Sequence, residues 1–239
     1  MSVPEPLPTS QSVRLGVLLA MVGGSLDAYT YLSRGGVFAS AQTANVILLA
    51  IEAAHGQWWQ AFDHVPPILA FVVGVVAAEC LQHPRVARVV RQPTRAALML
   101  EVVVLAGVGL VPADAPDILV SVLIAFAASV QMTAFRTLVD TAYNSTMTTG
   151  NLRIATQCAY EAVMGRDKKA ARRGRQFTAV ILAFMAGALG GAELTQTVGV
   201  RAVWAAAVLL ACGLALFVHD ERTARRAADA AATRARGAG

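Results

Sequence analysis

Six long, almost uncharged apolar stretches, at residues 15–33, 66–82, 96–111, 118–135, 177–192 and 202–218, constrain this chain more than any other feature. A helix crosses the hydrocarbon layer in about 20 residues, and each stretch approaches that length. Hydrophobic residues fill 56% of the 239 positions and charged ones 15%, a balance that one soluble core cannot hide. The expected solvent is therefore the bilayer. The expected fold is all-α: a polytopic membrane helix bundle of about six transmembrane helices.

The basic residues set the expected orientation. Arg14, the group Arg85, Arg88, Arg91 and Arg95, the group Arg166, Lys168, Lys169, Arg172, Arg173 and Arg175, and the group Arg222, Arg225, Arg226, Arg234 and Arg236 number sixteen. The connections 55–65, 112–117 and 197–200 hold none. By the positive-inside rule, loops 83–95 and 165–176 and both termini face the cytoplasm of a cell inner (plasma) membrane. Anionic headgroups are then the counter-charge for the high isoelectric point, and nucleic acid is not an expected partner. Residues 1–12 lack a basic leader and a small-residue cleavage site, so no cleaved signal peptide is expected. The expected organisation is a disordered N-terminus over 1–12, a single transmembrane domain over 13–218, and a basic cytoplasmic tail over 219–239.

Counting crossings leaves two segments over. Between Arg14 and the uncharged connection at 55–65 two helices fit where the charge rule permits an odd number of crossings, and the same holds between 112–117 and Arg166. The surplus segments are 37–56, with Thr43-Ala44-Asn45, and 143–164, with Thr149-Gly150-Asn151. Each reads as a polar entry followed by a short helix, whose first N–H groups Thr and Asn can cap. Such backbone is tolerated at membrane depth only inside protein or beside a cavity, which makes them broken or re-entrant helices. Two helices lying on the membrane surface are the alternative.

The two halves resemble each other. Thr43-Ala44-Asn45 returns as Thr149-Gly150-Asn151 after 106 positions, and Ala70-Phe71-Val72-Val73-Gly74 returns as Ala183-Phe184-Met185-Ala186-Gly187 after 113. With three crossings per half, the copies at 13–112 and 117–218 enter from opposite sides, a 3+3 inverted repeat of the kind found in transporters and channels. The runs Gly23-Gly24-Ser25-Leu26-Asp27-Ala28-Tyr29, Gly35-Gly36-Val37-Phe38 and Thr43-Ala44-Asn45 resemble the opening signature of the YoaK-like family of bacterial membrane proteins, domain of unknown function 1275. The resemblance spans roughly 12–218 and implies a multi-pass membrane protein of unassigned activity. The family usually has Thr-Gly-Asn where this chain has Ala44, which conflicts with a φ > 0 turn there if the glycine serves one.

Asp27 lies deep in the first span, where a carboxylate costs about 2.5 to 3.5 kcal/mol on insertion scales and needs a partner or water. It either serves a solute or proton, or accepts hydrogen bonds from a neighbouring helix. Gln131 holds the comparable place in the second half. The expected substrate-binding set is Asp27, Thr43, Asn45, Gln131, Thr149, Asn151 and Arg153; the structural alternative is interhelical hydrogen bonding. Glu101 is expected to pair with Arg153 or Arg136, and Glu79 to be interfacial. Gly187, Gly190 and Gly191 form a face for close helix packing. Cys80, Cys158 and Cys212 are spaced as buried small residues, without metal or disulfide signature. No catalytic motif, metal site or cofactor motif is present.

The expected function is a channel or secondary transporter of a small polar or ionic solute, not an enzyme. Its partners are the lipid bilayer and that solute, and homo-oligomerisation is compatible with it. A membrane-embedded enzyme, a lipid-handling protein and a non-transporting scaffold are the alternatives.

Overall fold

The computed structural model describes residues 13–83, 90, 92–138, 141–142, 145–146 and 148–237. The expected disordered N-terminus at 1–12, Arg85, Arg88 and Arg91 of the first basic loop, and Tyr143 at the head of the second surplus segment lie outside the described residues.

The chain is a helical bundle. In order come α1 (Val13–Ser33), α2 (Gln42–Ala54), α3 (Trp58–Asp63), α4 (Val65–Gln82), α5 (Pro93–Val108), α6 (Asp117–Ala134), α7 (Thr148–Met164), α8 (Lys168–Val198) and α9 (Val203–Gly237). Between α6 and α7 a two-residue antiparallel ladder pairs Thr137 with Ala142 and Leu138 with Thr141. Local chemistry sets several boundaries. Pro93 opens α5, where its missing N–H costs nothing. Asp167 caps α8 by accepting from the Lys169 N–H at 2.7 Å. Gly199, at φ +62, separates α8 from the short 3-10 turn that leads into α9.

Among the described residues four helical stretches are long and apolar enough to cross a membrane: Val13–Ser33, Trp58–Gln82, Asp117–Ala134 and Lys168–Thr223. The last contains α8 and most of the apolar part of α9. The apolar length of α5, 16 residues, falls just short. Large apolar side chains cover the outside of the bundle, among them Leu69, Val72, Val73 and Val76 on α4 and Leu182, Met185 and Leu189 on α8. So broad an apolar surface marks a membrane protein.

Packing follows a regular scheme. α1 lies along α8, α4 along α6, α5 against α6 and α9, α1 against α9, α7 along α8 and α2 against α4. Exchanging α1 with α6, α2 with α7, α4 with α8 and α5 with α9 maps each of these pairings onto another or onto itself. The core between them is aliphatic, with Leu19, Val22, Leu26, Leu98, Leu105, Ile124 and Leu210 closed to solvent. Lipid supplies no hydrophobic drive between helices, so close backbone approach must hold them. A Cβ at Gly187 would fall on the Met21 backbone, one at Gly24 on the Phe184 carbonyl, and one at Gly191 within 2.7 Å of Ser25 Cα. In the other pair, a Cβ at Gly74 would meet Ser129 Oγ and lie 2.6 Å from the Phe126 carbonyl. Gly74 and Gly187 are the matched glycines of the repeated Ala-Phe motif. Gly190 faces open space and is not part of the contact.

Several expectations are corrected. α9 continues as one helix to Gly237, so the described part of the expected tail, 219–237, is helical. Ala44 and Gly150 are both helical, with φ negative, so the Ala44 substitution conflicts with nothing. Cys158 is buried, but Cys80 and Cys212 lie on the outer surface. Glu101 is 1% exposed and its Oε2 has no hydrogen-bond partner. It pairs with neither arginine expected for it: Arg136 bonds Glu79, and Arg153 is exposed on α7.

Candidate functional site

After α1 ends at Ser33, Gly35 and Gly36, at φ +77 and +75, reverse the chain back along the helix it has left. The segment 37–41 is irregular, and its polar groups are satisfied one by one. The Ser40 N–H and hydroxyl both donate to Asp27, at 2.7 Å each, to Oδ1 and Oδ2. The Ala39 N–H donates to Thr30 Oγ1 at 3.2 Å. Asn45 clasps Phe38 from both sides, its Oδ1 accepting from the N–H at 2.8 Å and its Nδ2 donating to the carbonyl at 2.7 Å. Asp27 precedes the end of α1 by six residues, so the loop returns about 9 Å into the bundle before α2 begins. Buried irregular backbone survives only with such bonding.

The start of α2 differs from the capping expected of Thr43 and Asn45. Its N-cap is Ala41, without a side-chain cap, and both polar residues lie inside the first turn. The capping role passes to Asp27, whose carboxylate faces the Ser40 and Ala41 N–H groups from the neighbouring helix. A carboxylate at a helix N-terminus is the favourable sign for the macrodipole.

The second half builds a related junction. The Ser145 hydroxyl donates to Gln131 Oε1 at 3.3 Å, and the Thr146 hydroxyl to Met132 Sδ at 3.3 Å. Asp27 and Ser40 are thus answered by Gln131 and Ser145, a charged pair by a neutral one. Asn151 is buried in the first turn of α7, as Asn45 is in the first turn of α2.

Both junctions open on one cavity of about 960 Å³. Asp27, Ser40, Gln42 and Thr43 line it from the first half, Thr146, Thr148 and Thr149 from the second. Its walls are largely apolar, with Tyr31, Phe38, Phe71 and Phe184 prominent, and Tyr31 stacks on Phe38 at 4.9 Å. Asp27 is the one charged side chain among the described lining residues. Of the residues expected at the site, Asp27, Thr43 and Thr149 meet here. Asn45, Asn151 and Gln131 are buried and do not line it, nor does Arg153. Ser40, Gln42, Thr146 and the aromatic walls escape sequence reasoning, because they come from loops and from four different elements. Among the described residues no group of three or more His, Cys, Asp or Glu is placed to hold a metal ion.

A second polar cluster is equally hidden. Arg34 is fully buried just past α1, its Nη1 3.3 Å from Asp117 Oδ1 at the start of α6, its Nε 3.3 Å from the Tyr29 hydroxyl. Asp117 is half exposed, so solvent weakens the pair, but among the described residues it is the acid that faces this buried guanidinium. Asp117→Asn is expected to destabilise the fold by roughly 1 to 2 kcal/mol. Thermal unfolding in detergent measures this, and an unchanged midpoint would show that Arg34 needs no counter-ion.

A family model described as "Protein of unknown function (DUF1275)" matches residues 15–216. No curated protein and no solved structure is significantly similar to the chain.

Proposed function

We propose, for a chain that belongs to the DUF1275 family of proteins of unknown function over residues 15–216, that it is a channel or secondary transporter of a small polar or ionic solute. The observation that carries this reading is the single cavity into which the starts of α2 and α7 and the carboxylate of Asp27 converge. Helix starts buried at mid-bundle are how membrane proteins present unsatisfied backbone donors to a solute without exposing them to lipid.

The proposed setting is an inner membrane crossed six times, by α1, α4, α5, α6, α8 and α9. Both termini and the basic loops face the cytoplasm, and α2 and α7 enter from opposite sides. The exchange symmetry of the helix pairings, the matched crossings at Gly74 and Gly187, and the paired junctions at Asp27 and Gln131 all support an inverted repeat of three crossings per half. Rocking of one packed helix pair against the other then exposes the cavity to each side in turn.

The orientation has its own test. In a chain with Cys80, Cys158 and Cys212 replaced, a cysteine at Gln60 is expected to react with an impermeant maleimide from outside the cell. Reaction from the cytoplasmic face alone would overturn the six-crossing arrangement. Transport is tested by reconstituting the full chain in liposomes and measuring uptake across a panel of amino acids, amines, organic acids and inorganic ions. Uptake of at least one above protein-free liposomes is expected; scrambling of labelled phospholipid with no uptake of any solute would favour a lipid-handling protein instead.

A further inference from the structure

The two helix starts in the cavity carry unequal charge. At α2 the Asp27 carboxylate faces the Ser40 and Ala41 N–H groups, and a full negative charge outweighs a helix end of about +0.5. At α7 the position answering Asp27 is Gln131, which is neutral, and apart from Asp27 no charged side chain is among the described lining residues. Gln131 is 2% exposed, its Oε1 receives Ser145, and its Nε2 is a buried donor with no partner. Thr146, Thr148 and Thr149 add hydroxyls at the same end of the cavity. The cavity therefore has a negative pole and a positive pole, and its charges nearly cancel.

Both poles border α1. Thr146 packs against α1 at Gly23, where a Cβ would strike its methyl group, and Asp27 lies one helical turn further on. Four residues of α1 rise about 6 Å. An ammonium and a carboxylate on one carbon atom, each at a hydrogen-bond length of about 2.8 Å from its protein partner, reach about 8 to 9 Å at most, more than that rise. The same cavity is walled by Tyr31, Phe38, Phe71 and Phe184, which present apolar faces and favour cations over them.

We infer that the cavity binds a zwitterion with an apolar body, of the class of amino acids with a hydrophobic side chain. The ammonium lies toward Asp27, the carboxylate toward Thr148 and Thr149 at the start of α7, and the side chain against the aromatic walls. A volume of about 960 Å³ admits the largest of them. The inference rests on reading this cavity as a solute site.

Three compounds sharing one aromatic body separate the possibilities: L-phenylalanine, 2-phenylethylamine and 3-phenylpropionate, titrated calorimetrically into the full chain in detergent. Phenylalanine is expected to bind at least tenfold tighter than either singly charged compound. Asp27→Asn is expected to erase its advantage over 3-phenylpropionate, and Thr149→Val to reduce its advantage over 2-phenylethylamine. Thr149→Val carries the test by itself if the Asp27 variant does not fold. An amine that binds as tightly as phenylalanine, an acid that binds tightest, or no binding of any of the three at about 10 mM overturns the inference. Binding of phenylalanine with no uptake of any solute into liposomes supports this inference while overturning transport. Uptake of another solute with no binding of phenylalanine does the reverse.

Discussion

Gly187→Val is expected to abolish the folded bundle. A Cβ at this position lands on the backbone of Met21, not on the end of a flexible side chain, so no rotamer change makes room for it. α1 and α8 would have to separate along their whole contact, taking with them the neighbouring approaches at Gly24 and Gly191, where added carbons meet backbone as well. Overpacking inside a well-packed core costs about 1 to 3 kcal/mol when side chains can shift. Here they cannot, and the loss is expected to exceed about 3 kcal/mol, a large part of the stability of a marginally stable protein. Gly74→Val at the matched crossing of α4 and α6 is expected to be milder, because the Ser129 hydroxyl can rotate away while the Phe126 carbonyl cannot. Gly190→Ala, one turn from the contact and facing open space, is the control and is expected to change stability by less than about 0.5 kcal/mol. Monodisperse yield and thermal unfolding in detergent rank the three. A Gly187→Val protein that melts close to the unsubstituted chain would mean that α1 and α8 do not pack as described.

How much of this is legible in the sequence depends on the range of the interactions. The apolar runs are properties of consecutive residues, and all six fall in helices: α1, α4, α5 and α6 lie within a few residues of the expected limits, whereas α8 and α9 run well beyond them. The two segments that counting crossings against charge leaves over are helical, as α2 and α7. Their internal geometry is not legible. Thr43 and Asn45 beside a helix start look like caps, but the true start is set one step earlier by Ser40 docking on Asp27, which leaves Asn45 to clasp Phe38. Arg34 reads as an ordinary loop arginine, because its burial needs Asp117, 83 positions later. The general rule that buried charges pair offers Glu101 an arginine. One of the two candidates, Arg136, sits nearer Glu79, a partner that hydropathy cannot rank above Glu101. The aromatic walls converge from α1, α4, α8 and the segment before α2, which no local pattern announces.

Asp27 carries both the structure of the loop and the charge of the cavity, and a pair of substitutions separates the two roles. In Asp27→Asn the amide oxygen still accepts the Ser40 N–H, and the amide nitrogen donates to a Ser40 hydroxyl that rotates to accept, so both contacts now made at 2.7 Å keep a partner. The fold is expected to hold to within about 1 kcal/mol, while the negative pole disappears. Asp27→Ala keeps neither partner. It strands the buried Ser40 N–H and hydroxyl at a cost of about 1 to 3 kcal/mol each and is expected to release the segment 37–41 from α1. The measurements are thermal unfolding and hydrogen exchange at the Ser40 and Ala41 amides, together with solute binding. In the asparagine variant those amides are expected to stay protected while binding falls at least tenfold; in the alanine variant both protection and binding are expected to go. If the asparagine variant binds as well as the unsubstituted chain, the carboxylate is only the clasp of the segment 37–41 and the site gains nothing from its charge. If alanine leaves the amides protected, the segment is held by Thr30, Gln42 and Asn45, and the depth of the loop does not depend on the acid at all.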